Sequence, residues 1–122
     1  MQLDLLEGAY AIAQLPADAP IPDWAYTGDF ISITRTPGEL SIVCRDVPAG
    51  VKCQRGWRCL KVRGPLDFSL TGVLASIAEP LAQARVSIFA VATFDTDYIL
   101  VPETGLERAL SALSGAGHQV MQ

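Results

Sequence analysis

The sequence predicts an α+β fold, with a βαββαβ order in its second half and a degenerate copy of the same plan in its first. Three observations predict it. Residues 86–101, VSIFAVATFDTDYILV, read as two apolar strands joined by a tight acidic turn. A weaker version of that unit recurs at residues 30–43, where Thr36-Pro37-Gly38-Glu39 aligns with Thr93-Phe94-Asp95-Thr96-Asp97 once one residue is gapped. Leu70, Val73, Leu74, Ile77 and Leu81 follow the spacing of a single helical face. A duplicated unit places two equivalent hairpins about a pseudo-twofold axis. A cleft between such halves is a natural place for a small ligand.

Taken in order, residues 6–15 (LEGAYAIAQL) are apolar with rough alternation and read as a strand. Residues 16–22 (PADAPIP) are too rich in proline for a helix interior. Asp23-Trp24-Ala25-Tyr26 reads as a single helical turn. Residues 30–34 and 40–44 form a hairpin around Thr36-Pro37-Gly38-Glu39, where Pro37 sets φ and Gly38 offers a positive φ. Residues 47–56 read as a loop. Residues 57–63 (WRCLKVR) alternate apolar and charged side chains, as a half-buried strand does.

The amphipathic helix follows, with Ser69 or Thr71 as its cap and Pro80 as a kink or the mark of its last turn. Residues 86–92 and 98–101 are the strands of the second hairpin. Thr104-Gly105-Leu106-Glu107 has the pattern of a capping box and opens a second helix. Gly115 and Gly117 stop that helix, and residues 118–121 form a last strand. This order is ferredoxin-like. The antiparallel sheet is expected to be covered by helices on one face. The expected division is 1–56 for the degenerate unit and 57–122 for the complete one.

Composition narrows the function. The chain has 122 residues, half of them hydrophobic, which is enough for a packed core. The formal charge is −4, and the nine basic residues are scattered rather than set in a stripe. Nucleic-acid binding is therefore disfavoured. No apolar run approaches the roughly 20 residues of a membrane helix, so no membrane partner is expected. The first residues lack the positive region of a signal peptide. Cys44, Cys53 and Cys59 are odd in number and lack ligand-pair spacing. They point to a reducing, cytoplasmic setting and to no metal. A Cys53–Cys59 bridge is the less favoured alternative.

Neither a nucleophile–base pair nor a phosphate-binding glycine loop stands out, and the single histidine, His118, reads as a surface or edge-strand residue. No catalytic residue and no cofactor is implied. Two positions invite a ligand instead. Gly72 stands at the start of the amphipathic helix, where unpaired N–H groups favour an anion and a glycine allows close approach. Close helix–strand packing is the alternative. Asp97 lies in the second hairpin turn, on the same side as that helix start if the fold is ferredoxin-like. Helix amides and the Asp97 carboxylate together suit a zwitterion by charge-assisted hydrogen bonds. Thr93 offers a hydroxyl, or simple strand propensity. Phe94 walls a pocket, or packs. Asp95 reads as a turn former.

These residues carry a resemblance. Gly64-Pro65-Leu66-Asp67-Phe68, Thr71-Gly72-Val73-Leu74, Leu81-Ala82 and residues 87–101 resemble the small tandem ACT-domain proteins of bacteria, as do Ile21-Pro22-Asp23-Trp24 and Thr36 with Glu39-Leu40-Ser41-Ile42-Val43. This ACT subtype is similar to the ligand-binding halves of eukaryotic cytosolic arginine sensors and to aspartokinase regulatory domains. The resemblance implies an amino-acid-binding regulatory module rather than an enzyme. Its ligand would lie between ACT-like units, at positions matching Gly72, Thr93, Phe94 and Asp97, with backbone from Ser41 and Ile42. Only two units are present and the first is eroded, so a homodimer would supply four. Output would pass through that dimer or through a separate protein partner. The competing readings are a structural or partner-binding ACT module that has lost its ligand and, more remotely, an enzyme.

Overall fold

The computed structural model describes residues 1–67 and 69–122. Phe68, part of the motif that carries the resemblance, lies outside the described residues. The strands are β1 (Gln2–Leu5), β2 (Tyr10–Leu15), β3 (Ser32–Thr36), β4 (Glu39–Cys44), β5 (Cys53–Val62), β6 (Phe89–Ala92), β7 (Asp97–Pro102) and β8 (Gln119–Met121), and the helices are α1 (Val73–Gln83) and α2 (Leu106–Gly115). Two compact units result, Gly8–Trp57 and Met1–Glu7 with Arg58–Gln122. Residues 1–7 thus belong with the C-terminal unit rather than with residues 8–56. The chain breaks at Gly8, whose φ of 85° suits a turn. The strand expected over residues 6–15 begins only at Tyr10, and a separate strand, β1, precedes it at Gln2–Leu5.

In the Gly8–Trp57 unit the order is β3-β4-β2-β5, antiparallel throughout, with Ala13 opposite Ile42 and Ile33 opposite Ile42 on its other side. A 3₁₀ turn at Asp23–Tyr26 replaces the first helix of a βαββαβ plan. Its core is Ala11, Ala13, Ala25, Leu40, Ile42, Cys44 and Val47. Thr36 pairs with Glu39, so Pro37 and Gly38 alone make the turn. Gly38 does not adopt the positive φ expected of it. The Thr36 hydroxyl oxygen accepts the Gly38 N–H at 3.2 Å and closes the turn instead. β5 begins at Cys53, inside the stretch expected to be a loop.

In the other unit β7 pairs with both β5 and β6, and the antiparallel β6–β7 hairpin sets Ala92 opposite Asp97. β1 is inserted between β5 and β8, antiparallel to the first and parallel to the second. Leu3, Leu60, Val62, Ile99 and Val101 alternate along their strands and meet Ile77 and Leu81 of α1 and Leu113 of α2. Burying each Leu or Ile contributes roughly 1.5–3 kcal/mol, so this helix-covered face holds the unit together.

The helix ends differ from expectation. Neither Ser69 nor Thr71 caps α1. Its N-cap is Gly72, with no side-chain bond, so the Leu70 of the apolar pattern precedes the helix. The Thr104 capping box does not form, because a 3₁₀ turn at Glu103–Gly105 leads into α2 and Gly105 is the N-cap. Pro80 sits in the last turn of α1. It has no N–H, and in a regular helix the carbonyl four residues earlier, Ser76, would lose its donor. His118 supplies the replacement, its Nε2–H lying 2.9 Å from the Ser76 oxygen, while its Nδ1 accepts from the Met1 ammonium at 3.1 Å. His118 is buried at 8% exposure, not the surface residue expected.

All three cysteines are free. Burial pushes the Cys59 thiol up to about 12. No helix among the described residues is long and apolar enough to cross a membrane.

His118→Ala should cost about 1 kcal/mol in urea unfolding, because the Ser76 carbonyl loses the imidazole hydrogen bond that replaces its missing helical donor. Pro80→Ala restores an amide there, so it should stabilise the His118→Ala protein more than the wild type. Equal effects in the two backgrounds would show that the imidazole does not substitute for the missing amide.

Candidate functional site

The second hairpin is built by its threonines. Thr93 N–H and Oγ1–H both donate to the Thr96 carbonyl, at 2.8 and 2.9 Å. The Thr96 hydroxyl, buried at 4% exposure, donates to Val62 O at 2.6 Å. Leu66 N–H donates to Asp95 O at 2.6 Å. Gly64 lies against the same turn, where a Cβ would approach Asp95 O at 3.1 Å and Thr96 Cβ at 3.2 Å. The Thr93–Thr96 turn is therefore fixed by backbone and hydroxyl bonds from β5 and the segment after it. Thr93 has spent its proton on the turn and acts as a positioning residue. The turn spans the same four positions as Thr36–Glu39, so no residue need be gapped, and Glu39 is the counterpart of Thr96 rather than of Asp97.

Asp97 is the first residue of β7, not a turn residue. It shares a face with Ile99 and Val101, the face that the helices cover. Its carboxylate is half-buried and has no hydrogen bond or ion pair among the described residues. At Gly72 the backbone is left-handed, φ 78° and ψ 1°, and nothing lies within 4 Å of where a Cβ would stand. Close packing does not explain this glycine; backbone conformation and open space do. Ser76 N–H makes the first helical bond, to Gly72 O at 2.9 Å, so the amides of Val73, Leu74 and Ala75 begin the helix without a side-chain cap.

Between these features lies a cavity of about 270 Å³, lined by Leu66, Leu70, Val73, Ala92 and the segment 93–97, with Asp67 at its edge. It brings together Thr93, Phe94 and Asp97, and its Leu70 and Val73 bracket Gly72. Phe94 is 78% exposed. Ser41 and Ile42 lie on β4 of the other unit, Ser41 half-buried and Ile42 fully within its core. Asp67 and Asp95 are lining residues that the sequence reading did not select. Asp67 Oδ1 accepts from Ser69 N–H and Oγ–H, both at 2.9 Å, and these bonds hold its carboxyl below the usual range. An Asp two residues before a Ser is the readable sign of such a turn. Among the described residues no cluster of three potential ligands suits a metal ion.

Comparison with known proteins gives this geometry a lineage. The family model described as the ACT domain matches residues 52–115. The chain belongs to the ACT-domain family. A second family model, for an N-terminal domain, matches residues 8–48 of this ACT protein. An Agrobacterium tumefaciens protein of known crystal structure is 44% identical, with a TM-score of 0.93 over 98% of this chain and 91% of that one. The human protein described as cytosolic arginine sensor for mTORC1 subunit 1 is 41% identical over 58 residues, which are 47% of this ACT protein and 18% of the sensor. The ligand-free regulatory subunit of aspartate kinase from Thermus thermophilus is alike in fold, with a TM-score of 0.63 at 18% identity, covering 91% of this chain and 93% of that one.

Gly72→Ala should lower stability by roughly 1–2 kcal/mol, the cost of a left-handed non-glycine residue, read from thermal unfolding. A loss well beyond that would mean that the added methyl collides with something and that the space at the helix start is not open.

Proposed function

We propose that this ACT protein is a non-catalytic regulatory module that binds a free amino acid in the cavity between the start of α1 and the start of β7. One observation carries the reading: an uncapped helix start and a carboxylate without a protein partner, Asp97, share a single small cavity. The first-turn amides of Val73, Leu74 and Ala75 receive the α-carboxylate, aided by the positive end of the helix dipole. Asp97 receives the α-ammonium. Leu66, Leu70 and Val73 pack the carbon chain. At about 270 Å³ the cavity is below the ~300–1,000 Å³ of drug-sized sites, which restricts it to a small metabolite. Ser41 and Ile42 stay candidates on the strength of the resemblance. Three free cysteines suit a reducing cytoplasm. Binding would bias one arrangement of ACT units, in a dimer or with a partner protein, over another.

A second reading has an observation of its own. Leu70, Leu74 and Phe94 are 53%, 39% and 78% exposed, an apolar set suited to a partner-binding module that no longer takes a ligand.

A thermal-shift and calorimetric screen of the common amino acids separates the two. A bound amino acid at about 100 times its Kd raises stability by roughly 2.7 kcal/mol. Asp97→Ala should abolish the shift and leave the protein folded. Aspartate and glutamate should give no shift, because Asp67, Asp95 and Asp97 already crowd the site with negative charge. Binding retained in Asp97→Ala would overturn the site, and silence across the whole screen would favour the second reading.

A further inference from the structure

A second cavity, also of about 270 Å³, adjoins the first and shares Leu66, Asp67, Phe94 and Asp95 with it; Pro65 completes its lining. Phe94 is a wall common to both and lies 78% exposed. Leu70 and Leu74 flank the start of α1 and are exposed too. Single exposed apolar residues need no explanation, but a set gathered around cavities marks a binding surface.

The chemistry of the second cavity is one-sided. Its side chains offer apolar surface from Pro65, Leu66 and Phe94, two carboxylates from Asp67 and Asp95, and no donor. The Ser69 hydrogen bonds hold the Asp67 carboxyl below its usual range, so it is charged at neutral pH. Asp95 is exposed, and it is its backbone carbonyl, not its carboxylate, that accepts the Leu66 N–H. Neither carboxylate is in an ion pair among the described residues. Two like charges on one small cavity repel each other, and a cation between them offsets both.

The fitting occupant is apolar along its length and positive at its end. A lysine or arginine side chain has that form: its stem covers apolar surface while its head reaches polar groups. Its cation gains further from the face of an exposed aromatic ring such as Phe94. A free amino acid filling one cavity would leave Leu70, Leu74 and much of Phe94 in water. A polypeptide segment with apolar residues beside the basic one covers them.

We propose that Pro65, Leu66, Asp67, Phe94 and Asp95 form a docking pocket for a lysine or arginine side chain of a partner protein, carried on a segment whose neighbouring apolar residues cover Leu70 and Leu74. This rests on the partner-binding reading and names the partner's chemistry. It holds whether or not an amino acid also enters the first cavity.

A positional library of acetylated, amidated octapeptides, screened against the whole chain, tests it. Selection should favour Lys or Arg at one position and apolar residues next to it. The best peptide, labelled and followed by fluorescence anisotropy, should bind about fivefold more weakly to Asp95→Asn at low salt and about tenfold more weakly to Phe94→Ala. Asp67→Asn keeps an oxygen for the Ser69 bonds and loses only the charge, so it should stay folded and also bind more weakly. Norleucine in place of the selected basic residue should remove the response to Asp95→Asn. Asp97→Ala should leave peptide binding intact while abolishing the amino-acid shift, which separates the two sites. Peptides bound without selection of a basic residue would overturn the pocket and leave the partner reading standing; no peptide bound at all would overturn both. Uptake of free lysine or arginine with capped peptides ignored, or a self-association that Phe94→Ala abolishes, would overturn the proposal in favour of those occupants.

Discussion

Thr96 donates its buried hydroxyl proton to the Val62 carbonyl at 2.6 Å, and the placement of the acidic hairpin depends on that bond. The acceptor sits at the end of β5, the central strand of its unit, while the donor belongs to a four-residue turn that Leu66 N–H also ties down from outside through Asp95 O. From this anchor the geometry follows in steps. Thr93 closes on Thr96, Asp95 O receives Leu66 N–H, and the segment leading to α1 is tied to the same turn. Asp97 then emerges on the helix-covered face beside the start of α1. A buried hydroxyl with one good acceptor is worth only about 1 kcal/mol net. Its importance here is positional, because every lining element of the cavity is referred to it.

Much of this was legible in the sequence where the signal is local. The continuous apolar run of residues 98–101 follows from a strand buried on both faces, and the helical spacing from Val73 to Leu81 from one face meeting a core. Gly72 could be singled out because glycine at a helix start has few physical reasons, and Asp97 because a carboxylate beside an apolar strand needs one. The roles of Asp67 and Asp95 were not legible in the same way. A turn Asp that bonds its own backbone and a turn Asp that rims a cavity have the same sequence pattern, and only the neighbouring segment tells them apart. Matching Glu39 to Asp97 failed for a related reason: the alignment followed charge, whereas the two turns are equivalent through their threonines.

What escaped the sequence reading is non-local. Residues 2–5 form a strand that slips between β5 and β8, both distant in sequence, and nothing in QLDL marks that destination. The imidazole of His118 mends a gap that Pro80 leaves in a helix far from it in sequence. Both are pairings between distant segments, where the choice of partner depends on burial in the finished fold. The helix caps failed more locally. Ser69 is occupied with Asp67, and Thr104 falls within a 3₁₀ turn, so each pattern was present but its residues had other bonds to make or another backbone to follow.

The bare start of α1 links stability to the proposed function. A side-chain cap is typically worth about 1 kcal/mol, and an acid in the first turn adds a further fraction through the helix dipole. α1 has neither, although Ser69 and Thr71 are close at hand and α2 carries Glu107 in its first turn. The left-handed Gly72 turns the chain so that no side chain of its own can fold back over the amides. Asp67, Asp95 and Asp97 stand near the same positive helix end without capping it, which supplies a field but leaves the donors themselves to solvent or ligand. A helix built only for stability would use one of those groups as its cap. Leaving the donors open forgoes some stability, a trade that suits the proposed amino-acid site, where a bound carboxylate would supply the missing cap.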